Sequence, residues 1–364
     1  MSTTPGPEGH GPSTPVAPQI VREIYLPPPR GFRWGRLFLV LALMALAGSV
    51  LMNFVLATVA GLSVSGGLDT DHRIQEKFVS HSASAQDKVA VLPIEGIILE
   101  SEDGFIRRAI DHAASDESVK AVVLRIDSPG GSVSGSDYIY YHLRKLVEKR
   151  SIPIVVSMGS IAASGGYYVA MAAGETPDVL FAEPTSFTGS IGVIIPHYNL
   201  AELMDKVGAK EDSIASHPLK KMGSVTRPMT DEERKIFESL VSDSFGRFKG
   251  IVRSGRSKFQ KAPELLDKLA TGQVYSADQA KQNGLIDRIG FLEDAVDRAI
   301  ELAGLKKDRV KVIRYKPETT LASILMGGEA HAAAAVDLKT LLDMTTPRAY
   351  YLFTWLPGLD VARP

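Results

Sequence analysis

Two short glycine turns that follow apolar runs constrain the fold of this chain more than any other feature. Asp127-Ser128-Pro129-Gly130-Gly131 comes after the apolar run 121–126, and Ala162-Ala163-Ser164-Gly165-Gly166 comes after the run 152–156. Apolar runs that end in tight turns and alternate with helical patterns predict βαβ units around a mainly parallel sheet. Ligands of such sheets bind beyond the carboxyl ends of the strands, which is where both turns fall.

The same two turns carry groups that could perform chemistry. Ser164 lies between small residues at a predicted strand-to-helix turn, so its hydroxyl would have little steric cover. A Pro-Gly-Gly turn at the end of the neighbouring strand can direct unpaired backbone N–H groups to the same point. The two turns therefore fit a nucleophile with an oxyanion hole. They also fit ordinary βα turns in which glycine supplies a positive φ.

Composition excludes several classes of function. The 364 residues carry a formal net charge of −1 and no run dense in lysine or arginine, which argues against nucleic acid as a partner. There is no cysteine, so disulfides, thiolate nucleophiles and cysteine-based zinc sites are excluded. The eight histidines show no metal-ligand spacing, and no P-loop or dinucleotide fingerprint occurs. We therefore expect neither a metal nor a cofactor.

The N-terminal part predicts a membrane anchor. Residues 1–36 begin with a stretch rich in Pro, Gly, Ser and Thr and are expected to be a disordered tail. Residues 37–62 are almost uninterruptedly apolar and exceed the roughly 20 residues that cross a bilayer, so they predict a transmembrane helix. A cleaved signal peptide would have a shorter apolar region, and a buried globular helix would have a polar face.

The charges on either side of this segment predict its orientation. Four arginines precede it, at positions 22, 30, 33 and 36, and aspartates follow it at 69 and 71. Positive charge stays on the cytoplasmic side of a membrane. We therefore expect the N-tail in the cytoplasm and the rest of the chain outside it.

Beyond the anchor we expect a polar linker at 63–87, one folded domain at 88–316 and a tail of uncertain structure at 317–364. The predicted strands are 88–94, 119–126, 152–156, 179–182, 190–195 and 310–313, and the predicted helices include 105–114, 134–149, 276–282 and 292–302. Thr230-Asp231-Glu232-Glu233 is a capping box that begins a long amphipathic helix. The aromatic cluster 350–355 could dock on the domain, line a subunit contact or touch the membrane surface, and docking is the default expectation.

A serine hydroxyl needs a base to become a nucleophile, and the residues leave the choice of base open. The candidates are His142, His197, His217, Lys220 and Lys221. No Gly-x-Ser-x-Gly elbow surrounds Ser164, so the usual local sign of a serine–histidine hydrolase is missing. Free lysine has a pKa of about 10.4, so a lysine base would have to be desolvated or placed near positive charge.

Three motifs, in this order, resemble those of the SppA-type signal peptide peptidases, also called protease IV. They are Asp127–Gly131, the run from Ser157 to Tyr168, and Phe187-Thr188-Gly189-Ser190-Ile191-Gly192-Val193. The resemblance covers roughly residues 88–313, and the single Ser-Gly-Gly motif after one predicted span is similar to the short form of the family. It implies an α/β, ClpP/crotonase-like fold of repeated ββα units preceded by one transmembrane helix.

The resemblance also implies roles for individual residues. It makes Ser164 the nucleophile and Lys220 the base of a Ser/Lys dyad, with Lys221 as the adjacent alternative. It assigns the oxyanion hole to the N–H groups of Gly131 and Gly165. Ser190 matches a serine that holds the lysine in place.

The implied protein is a membrane-anchored serine endopeptidase of the bacterial inner membrane that degrades remnant signal peptides through an acyl-enzyme. Its partners would be peptide substrates, the lipid bilayer and further copies of the chain, because family members form a homo-oligomeric ring in which neighbouring protomers share each site. Two alternatives stay open: a catalytically degenerate membrane-tethered scaffold, and an acyl-CoA enzyme on a crotonase-like fold.

Overall fold

The computed structural model of the protein describes residues 34–64, 74–99, 104–317 and 349–352, and within the first range it describes the side chains of 38–54. Contacts divide the chain into two compact units, Met1–Thr70 and Asp71–Pro364. Most of the predicted N-tail, part of the predicted linker and most of the C-terminal tail lie outside the described residues.

The described residues of the first unit form the helix α1, which spans Trp34–Val64 and includes the whole predicted transmembrane segment. Its described large apolar side chains, among them Phe38, Leu46 and Phe54, are exposed. Among the residues that the structure describes, no helix is at once long enough and apolar enough to span a membrane.

The second unit alternates strands and helices along the chain. Its strands are β1 (Ile74–His81), β2 (Asp87–Glu95), β3 (Val119–Ser128), β4 (Gly130–Ser132), β5 (Ile154–Ala163), β6 (Leu180–Ala182), β7 (Phe187–Gly189), β8 (Val274–Ser276), β9 (Arg288–Ile289), β10 (Val310–Pro317) and β11 (Tyr350–Leu352). Its helices are α2 (Phe105–Ser115), α3 (Val133–Arg150), α4 (Gly165–Ala170), α5 (Ala201–Val207), α6 (Asp231–Gly255), α7 (Ser257–Lys261), α8 (Pro263–Leu269), α9 (Ala277–Asn283) and α10 (Leu292–Leu302). Short 3₁₀ turns occur at Met171–Ala173 and Pro218–Lys221.

The main sheet runs in the order β1-β10-β2-β3-β5-β6-β9, and β7 pairs with both β5 and β8. Neighbours along β10-β2-β3-β5-β6-β9 are parallel, whereas the β1–β10 and β7–β8 pairs are antiparallel. Parallel strands that helices cover on both faces are apolar along their length, and Val91, Val123 and Val155 have no exposed surface. The predicted α/β class with a mainly parallel sheet is confirmed. Both glycine turns follow the carboxyl ends of adjacent strands, β3 and β5.

The segment predicted as a linker, 63–87, contains a strand of the domain. β1 extends the sheet by pairing with β10. The ammonium group of Lys88 lies 2.8 Å from carboxylate oxygens of both Glu76 in β1 and Asp116 after α2. The linker prediction was therefore wrong for Ile74–His81, because pairing with a distant strand and a partly buried ion pair fix a segment whose local sequence is polar.

The same ion pair changes the titration of Asp116. Burial alone would raise the pKa of this carboxyl, but hydrogen bonds from Lys88 and Ser118 outweigh it and lower the pKa to about 2. The carboxylate therefore stays charged at neutral pH and holds Lys88 between β1 and α2.

The predicted strand at 190–195 does not form either. Its backbone groups bond irregularly: the Ser190 N–H donates to the Gln273 carbonyl at 2.7 Å, and the Ile191 carbonyl accepts from Gly272 at 3.0 Å. Ser190 has φ 49° and the strand β7 ends just before it, at Gly189. Residues 190–194 line a cavity and do not form a regular strand.

The predicted capping box at the start of α6 is confirmed. The Glu233 N–H donates to Thr230 Oγ1 at 3.2 Å, and the Thr230 N–H donates to Glu233 Oε2 at 3.0 Å. The Glu233 carboxylate is 2 % exposed and forms an ion pair with Arg227, whose guanidinium also donates to the Lys221 carbonyl at 3.0 Å. The helix start thus fixes the 3₁₀ turn that carries Lys220 and Lys221.

Candidate active site

Ser164 occupies a sharp elbow between β5 and α4. It is the N-cap residue of α4, with φ 54° and ψ −113°, and it is almost fully buried. Its N–H donates to the Gly189 carbonyl at 2.8 Å, and its own carbonyl accepts from Tyr168 at 2.8 Å. These two hydrogen bonds hold the backbone of Ser164 in a conformation that residues with a side chain rarely adopt. The elbow therefore fixes the position of the Ser164 backbone to which the side chain is attached.

The glycines of the two turns pack directly against each other. A Cβ on Gly165 would lie 2.4 Å from Ser136 Oγ and 3.1 Å from the Gly131 nitrogen, and one on Gly131 would lie 1.8 Å from the Ile98 carbonyl oxygen. Neither position accepts a side chain. The lack of side chains lets the backbones of Gly131 and Gly165 approach each other closely beside Ser164.

Ser164 and Ser190 line the same cavity, which has a volume of about 460 Å³. Its other walls come from the segment 191–194, from Ala270-Thr271-Gly272, from Val241 and Phe245 of α6, and from Leu352 of β11. No charged side chain belongs to this lining among the described residues. The described lining thus contains three residues with hydroxyl groups, Ser164, Ser190 and Thr271, and its other side chains are apolar or absent.

The structure does not bring a candidate lysine into this cavity. Lys220 is exposed, and Lys221 lies 3.7 Å from Glu211 in an ion pair. Both belong to the 3₁₀ turn Pro218–Lys221, and neither lines the described walls around Ser164. Within one copy of the chain, the two members of the expected dyad are therefore in separate places.

The histidine candidates have other contacts. His217 caps the 3₁₀ turn by accepting from the Leu219 N–H at 3.2 Å. His197 lies 3.3 Å from the Ser224 carbonyl and lines a second cavity of about 540 Å³ along α6. His142 packs edge-on against Tyr138, and burial lowers its pKa. None of the three lines the described part of the Ser164 cavity.

The hydroxyl of Tyr168, four residues after the serine, is engaged elsewhere. Burial, together with a hydrogen bond to Asp137, raises the pKa of its phenol far above the ordinary range. The hydroxyl donates to Asp137 at 2.5 Å and stays neutral. Tyr168 acts instead as a packing surface for the C-terminal strand.

The strand β11 is the main feature of the site that sequence reasoning missed. It pairs antiparallel with β4, which contains Gly131, and Tyr350 bridges to Ile194 on its other side. The predicted docking of the aromatic cluster is thus confirmed for Tyr350–Leu352, whereas residues 353–355 lie outside the described part of the chain. The cluster was visible in the sequence, but nothing local indicated which surface would receive it.

One group of potential metal ligands lies elsewhere. Carboxylate and imidazole atoms of Glu76, His112 and Asp116 lie within 4.8 Å of one another. The Lys88 ammonium already bonds both carboxylates. The Lys88 ammonium therefore already occupies the place between these two carboxylates, and we interpret the group as a structural ion-pair cluster.

Several known proteins are similar in sequence to this chain. Residues 147–306 match the model of a family described as "Peptidase family S49". The chain is 36% identical over 254 residues to "Putative protease slr0021" of Synechocystis, which covers 70% of this chain and 88% of that protein. It is 31% identical over 344 residues to "Putative signal peptide peptidase SppA" of Enterococcus faecium, covering 87% of this chain and 94% of the relative.

A longer relative matches over one part of its length. "Protease 4" of Haemophilus influenzae is 34% identical over 229 residues, which is 61% of this chain and 36% of that protein. The two relatives described before it are matched over most of their own length at more than 30% identity. On this evidence the chain belongs to peptidase family S49.

Proposed function

We propose that this protein is a membrane-anchored serine endopeptidase that cleaves remnant signal peptides, with Ser164 as nucleophile and Lys220 as base. The observation that carries the proposal is the elbow: Ser164 stands at the end of β5, beside the amides of Gly131 and Gly165, and opens into a cavity. A relative named as a signal peptide peptidase supports the choice of substrate. The sheet order is compatible with a ClpP/crotonase-like arrangement of ββα units.

The proposed reaction needs no group beyond these residues. The Ser164 oxygen attacks the peptide carbonyl carbon while the neutral amine of the lysine takes the hydroxyl proton. The amides of Gly131 and Gly165 donate to the developing oxyanion. The leaving amine then receives that proton, and a water molecule hydrolyses the acyl-enzyme by the same steps. Ser190, on the wall of the same cavity, would hydrogen-bond the lysine and orient it.

The lysine would come from a neighbouring copy of the chain. Support for this comes from the exposed position of Lys220 and from the uncharged cavity around Ser164. An exposed lysine on a fixed turn can enter the cavity of a second copy, where burial would favour its neutral form. Subunits of a homo-oligomeric ring would then complete one another's sites, and an isolated copy would be inactive.

Subunit complementation tests this arrangement. Ser164→Ala and Lys220→Ala variants, each inactive alone, are dissociated, mixed and reassembled. If neighbouring copies share sites, the mixture regains part of the wild-type peptide hydrolysis. If both groups act within one copy, the mixture stays inactive. A serine-directed covalent probe must label Ser164 in the wild type and fail to label Ser164→Ala. Absence of labelling favours the degenerate scaffold or an acyl-CoA enzyme.

The anchor is proposed from the apolar run 37–62 and from the exposed apolar side chains of α1. The arginines before it favour a cytoplasmic N-tail and an extracytoplasmic peptidase domain at a bacterial inner membrane. The test compares the full chain with a variant that lacks residues 1–63. We expect alkaline extraction to leave the full chain in the membrane and to release the truncated one, with hydrolysis of soluble peptides retained in both.

A further inference from the structure

A further cavity, of about 540 Å³, lies at the carboxyl ends of the parallel strands β2 and β10. The first turns of α2 and α3 form its other walls, and it shares no lining residue with the Ser164 cavity. Ligands of parallel sheets bind beyond the carboxyl ends of the strands, and cavities of this size commonly hold small ligands. The position and the volume of this cavity are therefore those of a ligand site.

The described walls combine an apolar floor with a positively charged rim. Ile110 of α2 and Ile139 of α3 are buried and contribute to the floor. The charged residues of the lining are three bases and one acid, namely Arg107, Arg314, Lys316 and Glu95. Glu95 is paired with Arg314. The excess of positive charge favours a ligand that carries an anionic group beside an apolar body.

Two residues of the wall contain buried donor atoms without an acceptor. Neither the Nε of Arg107 nor the hydroxyl of Tyr315 has a hydrogen-bond partner among the described residues. Arg107 uses a different nitrogen, Nη1, for its ion pair with Asp111, and Tyr315 has no exposed surface. A buried donor that lacks an acceptor is costly, and native proteins seldom retain one without a water molecule or a ligand. The wall thus offers donors that the described part of the chain does not satisfy.

The start of α2 adds to the attraction for an anion. Its N-cap residue is Gly104, which provides no side-chain hydrogen bond, and its first turn contains no acidic residue. The first N–H groups of a helix have no partner within the helix, and this end of the helix dipole is positive. Gly104, Phe105 and Ile106 all line the cavity. The helix start, the basic rim and the unpaired donors all favour the same kind of ligand group.

The mixture of side chains favours a peptide over a plain acyl chain. Polar residues such as Tyr138 and Glu95 lie among the apolar ones around this cavity. A peptide has amide groups between its apolar side chains and can bond to such polar groups, whereas an acyl chain would leave them unpaired. Hydrolysis of an apolar peptide also produces a fragment that ends in a new carboxylate. Such a fragment has both parts that the cavity requires.

We propose that this cavity binds the free carboxylate end of a short apolar peptide, with Arg107 and Lys316 as its charged contacts. The inference rests on the proposed function in one respect, because peptide cleavage would supply such ends. The wall includes Leu99, which follows Ile98, and the N–H and carbonyl of Ile98 bond to β4 on either side of Gly131. A peptide in the cavity would thus lie beside the segment that supports the proposed oxyanion hole.

Binding is measured by isothermal titration calorimetry in the Ser164→Ala background, which removes the proposed nucleophile. The probe is the peptide acetyl-Ala-Ala-Phe-Leu with a free carboxylate, and the matched probe is the same peptide with a C-terminal amide. We expect the acid to bind at least about tenfold more tightly than the amide, because hydrogen bonds to a charged group are the stronger ones.

Variants of the rim locate the site. Arg107→Gln and Lys316→Gln should each remove most of the preference for the acid. The matched control is Arg288→Gln, which removes an arginine from β9 at the far edge of the sheet, where it pairs with Asp178 at 2.7 Å. This variant should keep the full preference. Lys316→Gln decides the matter if Arg107→Gln does not fold, as judged by circular dichroism.

The outcomes separate this site from the peptidase function. Equal binding of acid and amide, or a preference that survives both rim variants, overturns the site. Laurate that binds more tightly than the peptide acid and depends on Arg107 also overturns it, because the occupant would then be a fatty acid. A preference for the acid that depends on the rim, without peptide hydrolysis or Ser164 labelling in the unsubstituted protein, contradicts the peptidase function and leaves the site in place.

Discussion

The rings of Tyr168 and Tyr351 are stacked, with centroids 5.1 Å apart and planes inclined by 22°. Tyr168 belongs to the helix that begins at Ser164, whereas Tyr351 belongs to the C-terminal strand. The two rings meet Phe248 of α6, so three distant parts of the chain share one aromatic cluster. The elbow at Ser164 is thus packed against the C-terminal strand β11.

This cluster predicts unequal costs for two aromatic truncations. Phe248→Ala removes a fully buried side chain from α6 and should lower the free energy of unfolding by about 3–5 kcal/mol. Tyr351→Ala should cost less, because β11 can detach while the domain stays folded. Urea denaturation followed by circular dichroism measures both. Equal losses would mean that β11 is an inseparable part of the core.

The Ser/Lys dyad predicts strong non-additivity. Ser164→Ala and Lys220→Ala should each lower kcat by about 10⁴-fold or more, and the double variant should be little worse than either single one. Lys221→Ala is the matched control, because it changes the next residue of the same 3₁₀ turn. Steady-state hydrolysis of a peptide substrate gives the comparison. If Lys221→Ala is the inactive variant, the base has been assigned to the wrong neighbour.

Close backbone packing predicts opposite outcomes for two glycine substitutions. Gly131→Ala would place its Cβ 1.8 Å from the Ile98 carbonyl oxygen, so the turn must move and hydrolysis should be lost. Gly246→Ala in α6 meets nothing within 4 Å and should stabilise the protein by about 0.5–1 kcal/mol, since alanine favours a helix. Thermal unfolding and peptide hydrolysis check both. An active Gly131→Ala enzyme would rule out this turn as part of the oxyanion hole.

Arg227 is predicted to act as a positioning residue for the lysine turn. It joins the buried Glu233 carboxylate to the Lys221 carbonyl. Arg227→Gln should lower kcat about 10- to 100-fold with little change in KM, because the turn that carries Lys220 is no longer fixed. Arg227→Lys should recover part of that loss. The control is Lys249→Gln, which removes a lysine elsewhere on α6. This change breaks the ion pair between Lys249 and Asp267 of α8 and should leave kcat unchanged.

The ion pair of β1 predicts a pH-dependent stability. The pKa of Asp116 is about 2 in the folded protein, below its ordinary value of 3.8. Its charged form therefore stabilises the fold above pH 4, and this contribution is lost as the pH falls toward 2. Asp116→Asn should cost about 1–3 kcal/mol at pH 7 and less at pH 3.

Urea midpoints at the two pH values give this measurement. Asp111→Asn is the control, because Asp111 pairs with Arg107 on the surface of α2 and its side chain is 58% exposed. We expect a small effect that changes little with pH. An equal cost of Asp116→Asn at both pH values would contradict the assignment.

Local physics explains which parts of the fold were predictable. The strands β2, β3 and β5 are apolar along their length because both faces are covered, and the glycine turns after β3 and β5 have their own conformational signals. The capping box of α6 also depends only on residues close together in the sequence, Thr230 and Glu233. These elements lie where the sequence predicts them, within a few residues.

The remaining features depend on partners far away in the chain. β1 is half exposed and polar, and pairing with β10 makes it a strand. The segment 190–195 alternates like a strand, but the positive φ of Ser190 and bonds to Gln273 and Gly272 divert its backbone. β11 owes its place to Tyr168, Phe248 and Ile194. A local sequence pattern contains no information about such distant partners. These parts of the protein could therefore be placed only from the three-dimensional structure.

The backbone of Ser164 has a consequence for how this protein would respond to selection. A serine at φ 54° and ψ −113° is held in a conformation that costs on the order of 1–3 kcal/mol for any residue with a side chain. Ser164→Gly would relieve that cost while deleting the proposed nucleophile. A mutant library sorted for heat resistance alone would therefore enrich inactive molecules at this position, and stabilising this domain without losing its chemistry requires residue 164 to be held constant.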